Sequence, residues 1–428
     1  MITPFIPNSE IVDRQNQIKQ LLGDKSALIL FSNQILFRSA DTEYPFYQNA
    51  DFWYFSGLNE PISILFITNS ETILFYTPKP LENARWTGKS PSIESVKNQT
   101  RATKVIEYEK FLETVESYFS VNSYSEIYAD LEENNHHQKL KTSLENLLQK
   151  SQIKTHKSTK ITSKLRLFKS EWEIEQINLA AKISIESHQN IQQNIEFYPQ
   201  SEGLNLGLRE NQLEAEILRF YNWKGLTWSY WPIVAAGNRA NTLHYTQNNQ
   251  LIADNDLILI DAGCSYNYYC GDISRTFHVK NNPTEPQKTI LDLVQKAQAE
   301  AIKLAKKCFE KKITIKEIDL KAVEVLSQGL IDLGILKSSL EEVLENKLYR
   351  QFYPHSTSHW LGLDVHDIAE YKDQNGKYLH LQKGMVFTVE PGLYFDLNDQ
   401  SVPQEFRGIG VRIEDDIAIT KQGAVLLG

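Results

Sequence analysis

Between Leu257 and Phe277 the chain reads LILIDAGCSYNYYCGDISRTF, and this stretch restricts the fold more than any other. An apolar, strand-like run from Leu257 to Ile260 ends in a carboxylate, Asp261. A second carboxylate, Asp272, follows an aromatic patch. A hairpin turning at Tyr266-Asn267 sets Asp261 and Asp272 opposite each other on one face. Like charges so placed destabilise a ribbon. Burying them without compensation costs far more. The fold must bring something to this pair that makes it tolerable.

The rest of the chain narrows what that can be. Its 428 residues suffice for two domains. The hydrophobic share of 41% is that of a globular protein. A net charge of -9 is modest for this length and argues against a nucleic-acid binder. The N-terminal MITPFIPNSEIVDRQ lacks the basic start and apolar core of a signal peptide. No apolar run approaches the ~18 residues of a membrane span. Cys264, Cys270 and Cys308 form no CxxC pair, and in the hairpin Cys264 and Cys270 fall one residue out of register. Free thiols in a reducing cytoplasm are the expectation.

The first third alternates apolar runs with helix-like stretches. SALILF (26–31), ISILFI (62–67) and TILFYT (72–77) read as buried strands, and 108–119 and 137–149 as helices. This predicts an α/β domain over 1–163. The polar stretch 150–164 shows no apolar period and is the candidate boundary. A second domain over 164–428 opens with a helix announced by Ser170 and Glu173 at capping-box spacing, carrying a stripe of Ile174, Ile177, Ala181, Ser184, His188 and Ile191. Further helices are expected over 210–225, 284–308 (capped by Thr284 and Gln287) and 315–334. PIVAAG, the hairpin, 385–395 and 411–420 read as strands.

Polar residues inside strand-like runs are the informative anomalies. Besides Asp261 and Asp272, HSTSHWLGLDVHD carries His355, His359 and His366. Glu390 ends an apolar run before Pro391-Gly392, and Arg412 and Glu414 alternate with Val411 and Ile413, so they share a face. Each has an ordinary alternative: a surface strand end, a solvated acidic cluster, a core histidine, turn aspartates on a wet face. A zinc-protease helix through His355 and His359 is excluded, because no Glu follows His355 and Pro354 and Gly362 oppose a helix. Together, four carboxylates and an imidazole at strand ends favour a co-catalytic metal pair. Two divalent cations would balance the charge of Asp261, Asp272, Glu390 and Glu414. Oxygen-rich ligation suits a hard or borderline ion such as Mn²⁺ better than a thiolate-type zinc site.

The sequence resembles the Xaa-Pro aminopeptidases (aminopeptidase P), in the superfamily of prolidase, methionine aminopeptidase and creatinase. EYPFYQNADFWYFSGLNEP (43–61) is similar to the family's N-terminal signature. NTLHYT, IDAG…GDISRTF, SHWLGLDVHD, EPGLYF and GVRIEDD are similar to its catalytic blocks, in the same order. The resemblance implies an α+β protein, a C-terminal pita-bread catalytic domain with an N-terminal α/β domain. It implies metal ligation by Asp261, Asp272, His359, Glu390 and Glu414, with Asp272 and Glu414 bridging two ions: Mn²⁺ first, with Co²⁺, Fe²⁺ or Zn²⁺ as alternatives. It implies substrate-side roles for His244 and His366, and a proline pocket near His355, Tyr394 and Arg412. Trp86, by residue type alone an ordinary partly buried aromatic, would reach the active site of a neighbouring subunit in a homodimer or homotetramer. Ser356 stands where the family pattern has Gly.

The activity implied is release of the first residue from peptides with proline second, by a metal-bridged hydroxide, with Glu390 carrying the proton to the leaving nitrogen. Prolidase, which shares the ligands but cleaves dipeptides, is the nearest rival. The block at 43–61 favours the aminopeptidase. A non-enzymatic pita-bread binding module would have lost ligands, and all five are present. Peptides are the expected partners, with no role for nucleic acid or a membrane.

Overall fold

The apolar runs of the first third are strands that never meet water. Ser26–Phe31, Ile64–Ile67 and Thr72–Phe75 are buried at every residue. They form the centre of a six-stranded sheet in the order Lys104–Ile106, Thr72–Phe75, Ile64–Ile67, Ser26–Phe31, Glu126–Tyr128, Lys154–His156. The sheet mixes parallel and antiparallel pairs. Strands covered on both faces need no polar alternation. Ala27, Ile29 and Phe31 share one core with Phe111 and Val115 of helix Phe111–Val121 and with Leu144 and Leu148 of helix Gln138–Lys150.

The computed structural model describes residues 3–121, 124–132, 137–195 and 207–428. They divide into two compact units, Thr3–Arg166 and Leu167–Gly428. The polar stretch 150–164 is not a structureless connector. It contains strand Lys154–His156 and enters helix Thr159–Arg166. Polar contacts bury this helix: Asp51 accepts hydrogen bonds from Arg166 Nη1 at 2.8 Å, Thr162 Oγ1 at 2.8 Å and Ser158 Oγ at 3.2 Å. An apolar period was therefore the wrong signal to look for. Asp51 itself sits on helix Ala50–Ser56, inside the 43–61 block, behind an Asn49 cap.

The second unit repeats one arrangement twice: a pair of helices behind an antiparallel sheet. Helices Glu171–Asn194 and Glu210–Trp223 pack through Ile191, Leu213, Ile217 and Tyr221 onto Val234, Ile258 and Ile260. Those strands pair as Ile233–Ala236, Leu257–Asp261, Ser274–His278. Helices Glu285–Ala305 and Ile315–Asp332 pack through Val294, Ala301, Ile318 and Leu326 onto Phe387, Val389, Val411 and Ile417. Those come from a sheet of Val386–Val389, Asp415–Thr420 and Gly423–Leu426 and a ribbon of Gly392–Tyr394 with Gly410–Arg412. The capping boxes at Ser170/Glu173 and Thr284/Gln287 both form. On helix Glu171–Asn194 the buried stripe includes Glu173 and Gln176, which bond Tyr269 and Asn267 of the hairpin, whereas Ile174 is only half-buried. No helix among the described residues is long and apolar enough to cross a membrane.

Two glycines let this hairpin close. A Cβ on Gly263 would collide with the Gly271 carbonyl oxygen. One on Gly271 would lie 2.9 Å from the Ala180 backbone. Cys264, Cys270 and Cys308 are free and buried.

Candidate metal centre and substrate cleft

The hairpin turns one residue later than the sequence suggested. Its turn pair is Asn267-Tyr268, both with positive φ (51° and 69°), the primed geometry that matches strand twist. Tyr266 pairs with Tyr269, and Asp261 pairs with Ser274 rather than with Asp272. Asp272 lies between strands Tyr269–Cys270 and Ser274–His278. The aspartates still meet, through Tyr230. Its hydroxyl is 2.5 Å from Asp261 Oδ1 and 2.6 Å from Asp272 Oδ1. One phenolic proton serves only one acceptor at a time, so charge remains uncompensated there.

The other carboxylates also sit where ladders break. Glu390 separates strands Val386–Val389 and Gly392–Tyr394. Glu414 separates Gly410–Arg412 from Asp415–Thr420. His359 is aimed by its Nδ1, which is 3.1 Å from the Trp360 carbonyl. This leaves Nε2 at 3.3 Å from Asp272 and 3.5 Å from Glu390. Asp272, His359 and Glu414 bring one ligand atom each within 4.8 Å of one another. Asp261 joins through Tyr230, and Glu390 through His359.

Too much negative charge is gathered here for the cations present. Burial, then the charges of Asp272 and Asp261 against the pull of His359 and Arg412, lifts Glu390 to about 7. Burial, then Asp272, Glu390 and Asp261, pushes Glu414 well above the carboxylate range. Burial raises Asp261 despite Arg412. Burial would raise Asp272 too, but its bond to His359 and that charge bring it below the usual value. Burial works against a charge on His359, yet Asp272 and Glu390 raise it to about 9. Three buried carboxylates and the half-buried Glu390 around one imidazole are a donor set that fits divalent cations with a preference for oxygen.

A chain of hydrogen bonds of fixed direction lines the other wall. Arg412 donates to Asp261 at 2.6 Å, to Ser274 Oγ at 3.0 Å and to the Tyr394 hydroxyl at 3.0 Å. Burial and the Arg412 charge hold His355 down at about 3, hence neutral. Its Nδ1 donates to the Ser356 carbonyl at 2.9 Å, so Nε2 accepts from Tyr394 at 2.8 Å. Ser356 is not among the residues with positive φ, so this loop does not require glycine.

These walls enclose a cavity of about 590 Å³ lined by His244, His355, His359, His366, Arg412 and all four carboxylates. The His366 ring stands 4.3 Å from that of His359, edge to face. A second cavity of about 690 Å³ shares His355, His359, His366 and Glu390. Tyr394 lies behind the wall and contributes through its bonds. Trp86 is not brought in by these contacts: it lies on helix Ala84–Thr87 of the N-terminal unit, 88% exposed.

Three residues of this centre escaped the sequence reading. Tyr230 links the aspartates. Ser274 donates to Glu414 at 2.9 Å while accepting from Arg412. Asp416 accepts from the Asp272 backbone N–H at 3.1 Å. Ser274 and Asp416 lie in quoted motifs, and a search for further polar residues inside those strands would have found them. Tyr230, in an aromatic loop, left no comparable signal.

Comparison with known proteins agrees with this geometry. Residues 175–421 match the model of metallopeptidase family M24, and residues 11–128 that of the aminopeptidase P N-terminal domain. The chain is 34% identical to a Xaa-Pro aminopeptidase of Haemophilus influenzae, over 99% of its length and 94% of that protein. The structure superposes on proline aminopeptidase P II from Yersinia pestis with a TM-score of 0.86 at 32% identity, covering 99% of this chain and 96% of that one. A zinc-substituted Escherichia coli aminopeptidase P in complex with product gives 0.88 at 32% identity, covering 99% and 95%. The chain belongs to metallopeptidase family M24 and, by its N-terminal domain and full-length similarity, to the Xaa-Pro aminopeptidases within it.

Proposed function

We propose that the protein releases the N-terminal residue from peptides with proline in second position, using divalent metal ions. The observation that carries this reading is the convergence of buried Asp272 and Glu414 with half-buried His359, flanked by Asp261 and Glu390, in a chain with both aminopeptidase P domains. These five residues would hold the ions, and Asp272, His359 and Glu414 can bring one ligand atom each within 4.8 Å of one another. Mn²⁺ is our first choice, because the donors are mostly oxygen. When bound, the ions supply Lewis-acid polarisation and bring the pKa of water near neutrality.

The chain's own groups then have distinct tasks. Glu390 accepts a proton on its carboxylate and returns it to the leaving nitrogen. That nitrogen belongs to a tertiary amide and offers no N–H, so the site must recognise the ring. The His355–Tyr394–Arg412 chain is the wall against which we place it. His244 and His366, both on the cavity, steady the carbonyl oxygen as charge develops.

Substrate length separates this reading from prolidase. A third residue lies toward the open mouth of the cleft, where remote binding energy can orient the scissile bond. The expected result is a clearly higher kcat/KM for Xaa-Pro-Xaa than for Xaa-Pro with the same first residue, on protein of measured metal content. A better rate on the dipeptide would make the protein a prolidase. We also read the enzyme as cytoplasmic, supported by its buried free thiols. The exposed Trp86 supports a homodimer or homotetramer in which it reaches a neighbour's site. Light scattering that finds a fully active monomer would end that part of the reading.

A further inference from the structure

The His366 ring makes no hydrogen bond among the described residues and is exposed on the cavity, yet it stands at a defined place against His359. Its position must come from its backbone. The next residue, Asp367, carries a buried ion pair: Lys169 Nζ lies 2.8 Å from Asp367 Oδ2, and both side chains are 1% exposed. Burying two charges is costly, and apolar residues of similar volume often pack as well. The pair therefore calls for a reason beyond packing.

Both of its ends are anchored. Lys169 N–H donates to the Gly384 carbonyl at 2.7 Å. Gly384 has a φ of +93°, and a Cβ there would come within 2.9 Å of the Lys169 oxygen. At the other end, Asp367 N–H donates to the Trp360 carbonyl at 2.9 Å and Gly362 N–H to that of Asp364 at 3.1 Å. A side chain on Gly362 would strike the Asp367 carboxylate. Cys270 N–H donates to the Gly362 carbonyl at 2.8 Å, tying the loop to the aspartate hairpin.

We propose that the buried Lys169–Asp367 pair is a positioning device for His366: it fixes the Gly362–Asp367 loop so that the imidazole faces the reaction centre. Its catalytic consequence rests on the reading of His366 as a substrate-side residue. None of the five assigned metal ligands belongs to the pair.

The test uses the full chain with Lys169→Met/Asp367→Leu, an apolar pair chosen to fold without the charges. In its crystal structure the His366 ring is expected to leave its 4.3 Å place against His359. With two metals retained, kcat on a Xaa-Pro-Xaa tripeptide should fall about 10²-fold, the scale of a misplaced catalytic group, with KM little changed. In a His366→Ala background the same pair of changes should cost under about 3-fold, because coupled residues are not additive. A ring that stays in place, or equal losses in both backgrounds, overturns the proposal. If His366→Ala alone keeps full kcat, the substrate-side reading of His366 has failed, and the ring position still decides the positioning role. Should the apolar pair fail to fold, Asp367→Asn replaces it: a displaced ring supports the proposal and an unmoved ring overturns it.

Discussion

The N-terminal sheet and the sheets of the catalytic unit treat their apolar runs in opposite ways. Ser26–Phe31 and Thr72–Phe75 stay in the ladder from end to end and are wholly buried. The runs at 385–395 and 411–420 each break in two, and a carboxylate stands at each break. A continuous ladder satisfies every backbone group but locks side chains into a two-residue period. A break frees one residue to turn into the cavity, and its N–H then needs another acceptor. Each freed group has one: Glu390 N–H bonds the Thr357 carbonyl at 2.8 Å, Glu414 N–H that of Ser274 at 3.0 Å, and Asp272 N–H the Asp416 side chain at 3.1 Å. The catalytic unit has given up regular sheet to concentrate charge, and two backbone carbonyls and one carboxylate hold the loose ends.

The largest effect should come from removing charge at a break. Asp272→Asn keeps the shape and the backbone bond to Asp416, but an amide is a poor replacement for the anionic ligand proposed at this position. We expect activity on a Xaa-Pro-Xaa peptide to be lost and metal content to fall, measured by elemental analysis of the same sample. Full activity with two metals bound would show that the break serves the fold alone.

Ser274→Ala should do less. It leaves all carboxylates in place but removes the hydroxyl that joins Arg412 to Glu414. Partners that orient metal ligands typically matter by about 10–100-fold in affinity or activity. Metal titration should show a weakened centre within that range and near-normal thermal stability. Unchanged affinity would mean that Glu414 is aimed by its backbone alone.

The same contrast governs what the sequence could reveal. SALILF and TILF are legible because burial on both faces writes itself as unbroken apolar composition. The five assigned ligands were legible because carboxylates and histidine inside such runs are anomalies, and because the blocks around them resemble a known family. The hairpin register was missed by one residue because Tyr268 takes a left-handed φ, for which a tyrosine gives no sign. Helix Thr159–Arg166 was missed because Asp51, more than a hundred positions away, holds it through polar bonds. Tyr230 reaches Asp272 across 42 positions and Lys169 reaches Asp367 across 198. Polar contacts of that span leave no local period to read.

The smallest effect on chemistry should come from the largest insult to packing. Ile29 is fully buried at the centre of the N-terminal sheet, opposite Phe66. Replacing it with alanine removes buried methylenes and leaves a cavity that a packed sheet closes only in part, a loss of about 2–5 kcal/mol. Because the chain has two units, the change should appear as an earlier transition of the N-terminal unit and not as a uniform shift of one two-state curve. Below that transition kcat/KM and metal content should match the parent, since no residue of this core lines either cavity around the carboxylates. A proportional loss of activity at low temperature would break the comparison. It would mean that the integrity of the uninterrupted sheet matters for catalysis and not only for the stability of its own unit.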